Sequence, residues 1–159
     1  MKNRLYSILL ISLISATLFS SCEEDELISY DYTQQQLVAK QLVGTWGQSF
    51  DIETPIGVPG TVFQNLTLVF SIDEKGNPHK FYSEGCDDVL GSTVNSTWEW
   101  SDAHTLTNVL LKDVEPIAKI TVDVSVKDQL TISFVSDWHD TEGNAGSNEM
   151  FSVTLKRQK

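Results

Sequence analysis

From residue 44 onward, apolar and polar positions alternate in short bursts, each closed by turn-forming residues, and this period-two pattern predicts β-strands. Trp46, Phe50 and Ile52 fall on one face of a first strand that ends at the Pro55, Gly57, Pro59, Gly60 cluster. Val62, Leu66, Leu68, Phe70 and Ile72 share the even face of a second, with Gln64 as the exception, and Glu74-Lys75-Gly76-Asn77-Pro78 closes it as a hairpin turn. Phe81 and Tyr82 mark a third strand running into Gly85–Gly91, and Val94, Trp98 and Trp100 share a face of the fourth. Ser101-Asp102-Ala103-His104 then turns the chain into a fifth strand over Thr105–Leu111. In the sixth, Ala118, Ile120, Val122, Val124 and Val126 alternate with Lys119, Thr121, Asp123, Ser125 and Lys127, so one face is expected in the core and the other in water. Lys127-Asp128 predicts the next turn, Leu130, Ile132 and Phe134 the seventh strand, and Phe151, Val153 and Leu155 the eighth.

Strands joined by short turns, with no crossover helix between them, form an antiparallel meander. Closing that meander removes both of its aggregation-prone edges. The predicted fold is therefore all-β, an eight-stranded antiparallel up-and-down barrel, and a two-sheet sandwich is the alternative the same pattern permits.

Before the first strand the period changes. Thr33 is a capping residue, Gln36 follows three places on as in a capping box, and Leu37, Val38, Gln41 and Leu42 lay one apolar stripe on a short helix. A helix of about three turns does not survive alone in water, so it must dock, and the open end of the barrel is the natural place.

Met1–Ser21 has the anatomy of a secretory signal, with Lys2 and Arg4 ahead of an apolar run from Leu5 to Phe19. The run is short for a span of the hydrocarbon core and is followed by Glu23-Glu24-Asp25-Glu26, where a stop-transfer flank would be basic. Leu18-Phe19-Ser20-Ser21-Cys22 resembles a bacterial lipobox, with Phe19 in place of the usual aliphatic residue. That resemblance implies a lipidated Cys22 and anchorage to the membrane with no spanning helix. The acids after Cys22 resemble the export tag that sends some lipoproteins to the outer face of the outer membrane, which implies a surface-exposed, lipid-anchored protein. The expected organisation is a signal peptide over 1–21, an acidic tether over 22–33 and one domain over 34–159.

The formal net charge is −11, and removing the leader, which carries Lys2 and Arg4 and no acid, takes it to −13. An anion of that size repels phosphate backbones, so nucleic acid is not an expected partner, and a soluble monomer is. With Cys22 lipidated, Cys86 has no cysteine to pair with, and its neighbours Asp87 and Asp88 disfavour a reactive thiolate.

Gly44-Thr45-Trp46, preceded by a short helix and followed by a meander, resembles the Gly-x-Trp signature of lipocalins and related small barrels. The resemblance implies that Gly44 and Trp46 close one end of the barrel, with a basic residue of the last strand, Lys156 or Arg157, over the indole. It further implies capture of a small apolar or amphipathic molecule. The sequence departs from that pattern in having no helix after the last strand, no disulfide and no second lipocalin motif in the middle turn.

Candidate contact residues are few. If the Trp98 and Trp100 face points inward, with Phe70 and Tyr82 nearby, it lines a pocket or fills the core; if outward, it forms a platform for sugar rings. Trp138 opens a polar stretch, Ser136-Asp137-Trp138-His139-Asp140, that reads as a long loop reaching Asn148, which makes it the leading single contact candidate. Asp137, His139, Asp140 and Glu142 match no metal-binding spacing, and no catalytic triad, nucleophile elbow or phosphate loop is present. No enzyme activity, metal or cofactor is expected. A filled barrel making glycan or protein contacts through its loops is the alternative to the ligand cup.

Overall fold

The structure is a computed structural model, and it describes residues 32–86, 89–90, 93–115, 117–139 and 145–159, with the side chains of 93–95 and 139 left aside. The signal peptide, Cys22 and the acidic tether lie outside the described residues. One helix, α1 (Gln34–Leu42), precedes eight strands: β1 (Gly44–Glu53), β2 (Thr67–Ile72), β3 (Pro78–Glu84), β4 (Thr93–Trp100), β5 (Asn108–Lys112), β6 (Lys119–Asp123), β7 (Gln129–His139) and β8 (Ala145–Arg157). Each strand pairs antiparallel with its sequence neighbour, and β1 also pairs with β8, from Trp46↔Arg157 to Glu53↔Ser152. The ring is closed, so the barrel is the fold and the sandwich is excluded.

The capping box forms as the sequence predicts. Thr33 accepts from the Gln36 backbone N–H at 3.2 Å, and the Gln36 side chain accepts from the Thr33 N–H at 2.8 Å. The two glutamines then clamp α1 to the barrel. Gln35 donates to the carbonyls of Asp102 and Thr105, both at 2.9 Å, and Gln36 donates to the Lys75 carbonyl at 2.9 Å. Ala39 and Leu42 are the buried face that the docking covers.

Trp46 lies beneath that helix, 1% exposed, and its indole N–H donates to the Leu42 carbonyl at 2.8 Å. Of the two basic candidates it is Arg157 that covers the ring, 4.1 Å from its centroid, while Lys156 lies over Phe50. Arg157 also donates to the Gln41 carbonyl at 2.6 Å and to the Val43 carbonyl, so one planar group ties β8 to the C-terminus of α1.

The other end of the barrel is covered as well. The β1–β2 connection carries a turn of 3-10 helix, Gly60–Phe63, whose Phe63 is fully buried edge-on against Phe134 and Phe151. Val58, Leu66, Cys86, Val89 and Leu90 are buried with it. Cys86 is thus a core side chain.

Four strand boundaries differ from the sequence pattern. β5 starts at Asn108 rather than Thr105, because the Thr105 hydroxyl accepts the Thr107 and Asn108 N–H groups at 3.3 and 3.0 Å and keeps that stretch in the turn. β2 begins at Thr67 because Val62 belongs to the 3-10 turn, and that turn also explains the exposed Gln64 that broke the alternation. β6 stops at Asp123, whose carboxylate accepts the Ser125 N–H at 2.8 Å and turns the chain, leaving Val126 54% exposed. Ala118, ahead of β6, is exposed too. The polar stretch after Ser136 is a strand pair: β7 runs to His139, with Trp138↔Gly146 and His139↔Ala145 in register.

Candidate functional site

Ser96, Trp98 and Trp100 of β4 point into the barrel. Trp98 is 2% exposed and donates to the Ser71 carbonyl at 2.8 Å. It meets Phe70 edge-on at 5.4 Å and Trp100 edge-on at 5.4 Å, and Phe70 in turn meets Phe81 at 5.0 Å. Phe70, Trp98 and Trp100 are therefore brought together in one aromatic layer of the interior, the inward of the two orientations the sequence left open.

Tyr82 is not part of that layer. Adjacent strand residues face opposite sides, and Phe81 takes the inward position, so Tyr82 is half-buried on the outside and donates to the Glu84 carboxylate. The expectation that Tyr82 lines the same pocket fails on strand parity.

Trp138 is also placed differently from its expected loop. It lies on β7, past a register shift between Ser136 and Trp138, and is 8% exposed. Its ring packs against Gly57, and a Cβ at Gly146 would overlap the indole nitrogen, so two glycines make its berth. The neighbouring Asp137 carboxylate accepts the Asn148 N–H and the Ser147 hydroxyl, both at 2.8 Å. These bonds, the backbone one first, hold Asp137 below the ordinary carboxylate range. Asp137 thus belongs to a local polar network that fastens the β7–β8 ribbon. Asp140 and Glu142 lie outside the described residues. Among the described residues no group of three metal-ligating side chains converges.

Among the described residues, the buried donors Ser96 Oγ, Trp100 Nε1 and Trp138 Nε1 meet no hydrogen-bond partner. Sequence pattern gives no signal for such groups, because their satisfaction depends on what crosses the barrel rather than on strand neighbours.

Crevices on the surface lie away from the aromatic layer. One of about 270 Å³ sits at the helix-covered end between Gln41, Trp46, the β6–β7 turn and Arg157. Another, of about 590 Å³, lies on the β5–β6 hairpin over Leu110–Glu115. A third, of about 460 Å³, opens where β6 and β7 separate, between Ile117–Thr121 and Ser133–Val135. None of the three is lined by Phe70, Trp98 or Trp100.

The fold defines an eight-stranded antiparallel barrel with a helix over one end. No protein-family model and no curated protein matches the chain.

Proposed function

We propose that the chain is a lipid-anchored interaction module of the bacterial outer membrane, a lipocalin-like barrel that serves as a filled scaffold and makes its contacts from outside. One observation carries the scaffold reading: the interior is occupied by aromatic side chains. Phe63, Phe70, Phe81, Trp98, Phe134 and Phe151 are all 3% exposed or less. The bore of an eight-stranded barrel holds either side chains or one small ligand, and these buried rings support the first.

The anchor reading rests on residues alone: Lys2 and Arg4, the apolar run to Phe19, and Cys22 at its end followed by four acids. Among the described residues no helix is long and apolar enough to cross a membrane.

Tryptophan fluorescence titrated with palmitate, a lysophospholipid and a panel of oligosaccharides separates the filled scaffold from a ligand cup. The scaffold predicts no saturable response to the lipids. A saturable response to a lipid, lost in Trp98→Phe, restores the cup that captures an apolar or amphipathic molecule. A response to an oligosaccharide that survives Trp98→Phe places a glycan site on the outside.

A further inference from the structure

We infer that the edge of β7 from Phe134 to His139 is a docking site for an extended peptide segment of a partner protein, which joins the barrel wall as an added strand. The inference rests on the filled-scaffold reading and names its partner class. β6 pairs with β7 only over Thr121↔Ser133 to Asp123↔Thr131, whereas β8 pairs with β7 as far as His139↔Ala145. Beyond Ser133, then, one side of β7 carries backbone groups that no strand among the described residues meets.

The crevice of about 460 Å³ lies at the start of this edge, against Ser133, Phe134 and Val135. Its floor is apolar and buried, with Ile117 at 2% and Phe134 at 3% exposure. Its rim carries Val135 and Met150, 46% and 61% exposed and directly opposite one another on β7 and β8. A row of N–H and C=O groups that no described strand meets, beside an apolar floor, suits an extended backbone, which bonds the row while alternate side chains enter the crevice or cover the rim. A sugar or a fatty acid offers no such repeat of donors and acceptors.

Among the described residues Lys119 is the one charged residue lining the crevice, in a chain of net charge −11. A segment with an acidic residue between its apolar positions matches that charge. A second copy of the chain would bring two strongly acidic surfaces together, which favours a partner of different composition.

Hydrogen exchange by NMR on the whole protein tests this. The probe is a capped peptide of about nine residues, threonine alternating with valine around a central aspartate, at millimolar concentration where a single added strand is detectable. In the protein alone, crevice-facing amides between Phe134 and His139 exchange fast, while those bonded to β8 are protected. The peptide is expected to slow the fast set at least about tenfold; a version with proline at alternate positions does not, because it lacks the donors. Lys119→Glu weakens the aspartate peptide by about threefold and favours its lysine counterpart, as an exposed ion pair allows. Three outcomes overturn the inference: crevice amides already protected without peptide, no protection at millimolar peptide, or equal protection by the proline version. The lipid titration fails separately. Slowed amides together with a saturable lipid response sink the filled scaffold and keep the strand site, while unprotected amides with no lipid response sink the strand site alone.

Discussion

Gly44 shows why a glycine precedes the barrel-closing tryptophan by two places. Its φ of +130° is a conformation that side chains rarely adopt, and a Cβ there would sit 2.7 Å from the Arg157 guanidinium. The glycine therefore makes room for the cation that covers Trp46. Trp46→Ala is expected to lower stability by about 3–5 kcal/mol in urea unfolding, the range for truncating a buried aromatic. Arg157→Lys keeps the charge and loses the planar fork that reaches two carbonyls, so a loss of about 1–3 kcal/mol is expected. A loss below about 0.5 kcal/mol in the lysine variant would mean that the guanidinium contacts contribute little. The opposite sign belongs to Ser96. Its buried hydroxyl has no partner and is 2% exposed, so Ser96→Ala removes an unsatisfied donor and should raise stability by about 1 kcal/mol. A destabilised alanine variant would show that the hydroxyl holds an internal water or ligand.

At the scale of elements, the parts governed by local chemistry were legible in the sequence. Thr33 and Gln36 predict the start of α1 because both halves of a capping box lie within four residues. The β2–β3 turn was legible for the same reason: Asp73 accepts the N–H groups of Lys75 and Asn77 at 2.9 and 2.8 Å, and Gly76 takes φ +86°. What the pattern could not carry was longer in range. Gln35 and Gln36 read as polar helix surface, yet they grip the turns shaped by Asp102 and Asp73 from 67 and 39 residues away. Trp138 read as a loop residue because its neighbours are polar, and the glycines that house it, at 57 and 146, are far apart in the chain. The two aspartate turns give a pH prediction. Asp73 is held below the ordinary carboxylate range first by the Asn77 backbone N–H, and Asp102 first by that of His104. A lowered folded-state pKa means that the unfolded chain binds more protons as pH falls, so these groups stabilise the fold above about pH 4–5 and lose that contribution as pH drops through the folded value. In calorimetry, Asp73→Asn keeps an acceptor oxygen without a titrating charge, and its melting temperature should fall less between pH 6 and pH 3 than that of the parent. An identical fall would remove Asp73 from the acid response.

Across the whole molecule, closure comes from β1, which pairs with β2 near its start and runs along β8 for the rest. Two bulges allow this: Gln48 and Asp51 sit at φ 51° and 49°, and the β1–β8 register shifts on either side of Phe50. Alternation counted the strands but could not foresee the bulges, since a residue at positive φ breaks the period without changing composition. Nor could it foresee that Phe63 arrives from a turn to meet Phe134 and Phe151. Within Tyr32–Lys159 the described residues bury a core of their own, with side chains covering both ends of the barrel. Membrane attachment and folding should then be separable. Cys22→Ala in the full chain is expected to move the protein from the membrane fraction to the soluble periplasmic fraction, since the lipid is the only apolar attachment the reading allows. Its urea unfolding midpoint should match that of the parent in detergent, in one cooperative transition. Retention of the alanine variant in the membrane fraction would sink the lipoprotein reading, whereas release with a lowered midpoint would leave the anchor in place and show that residues before Tyr32 contribute to the barrel.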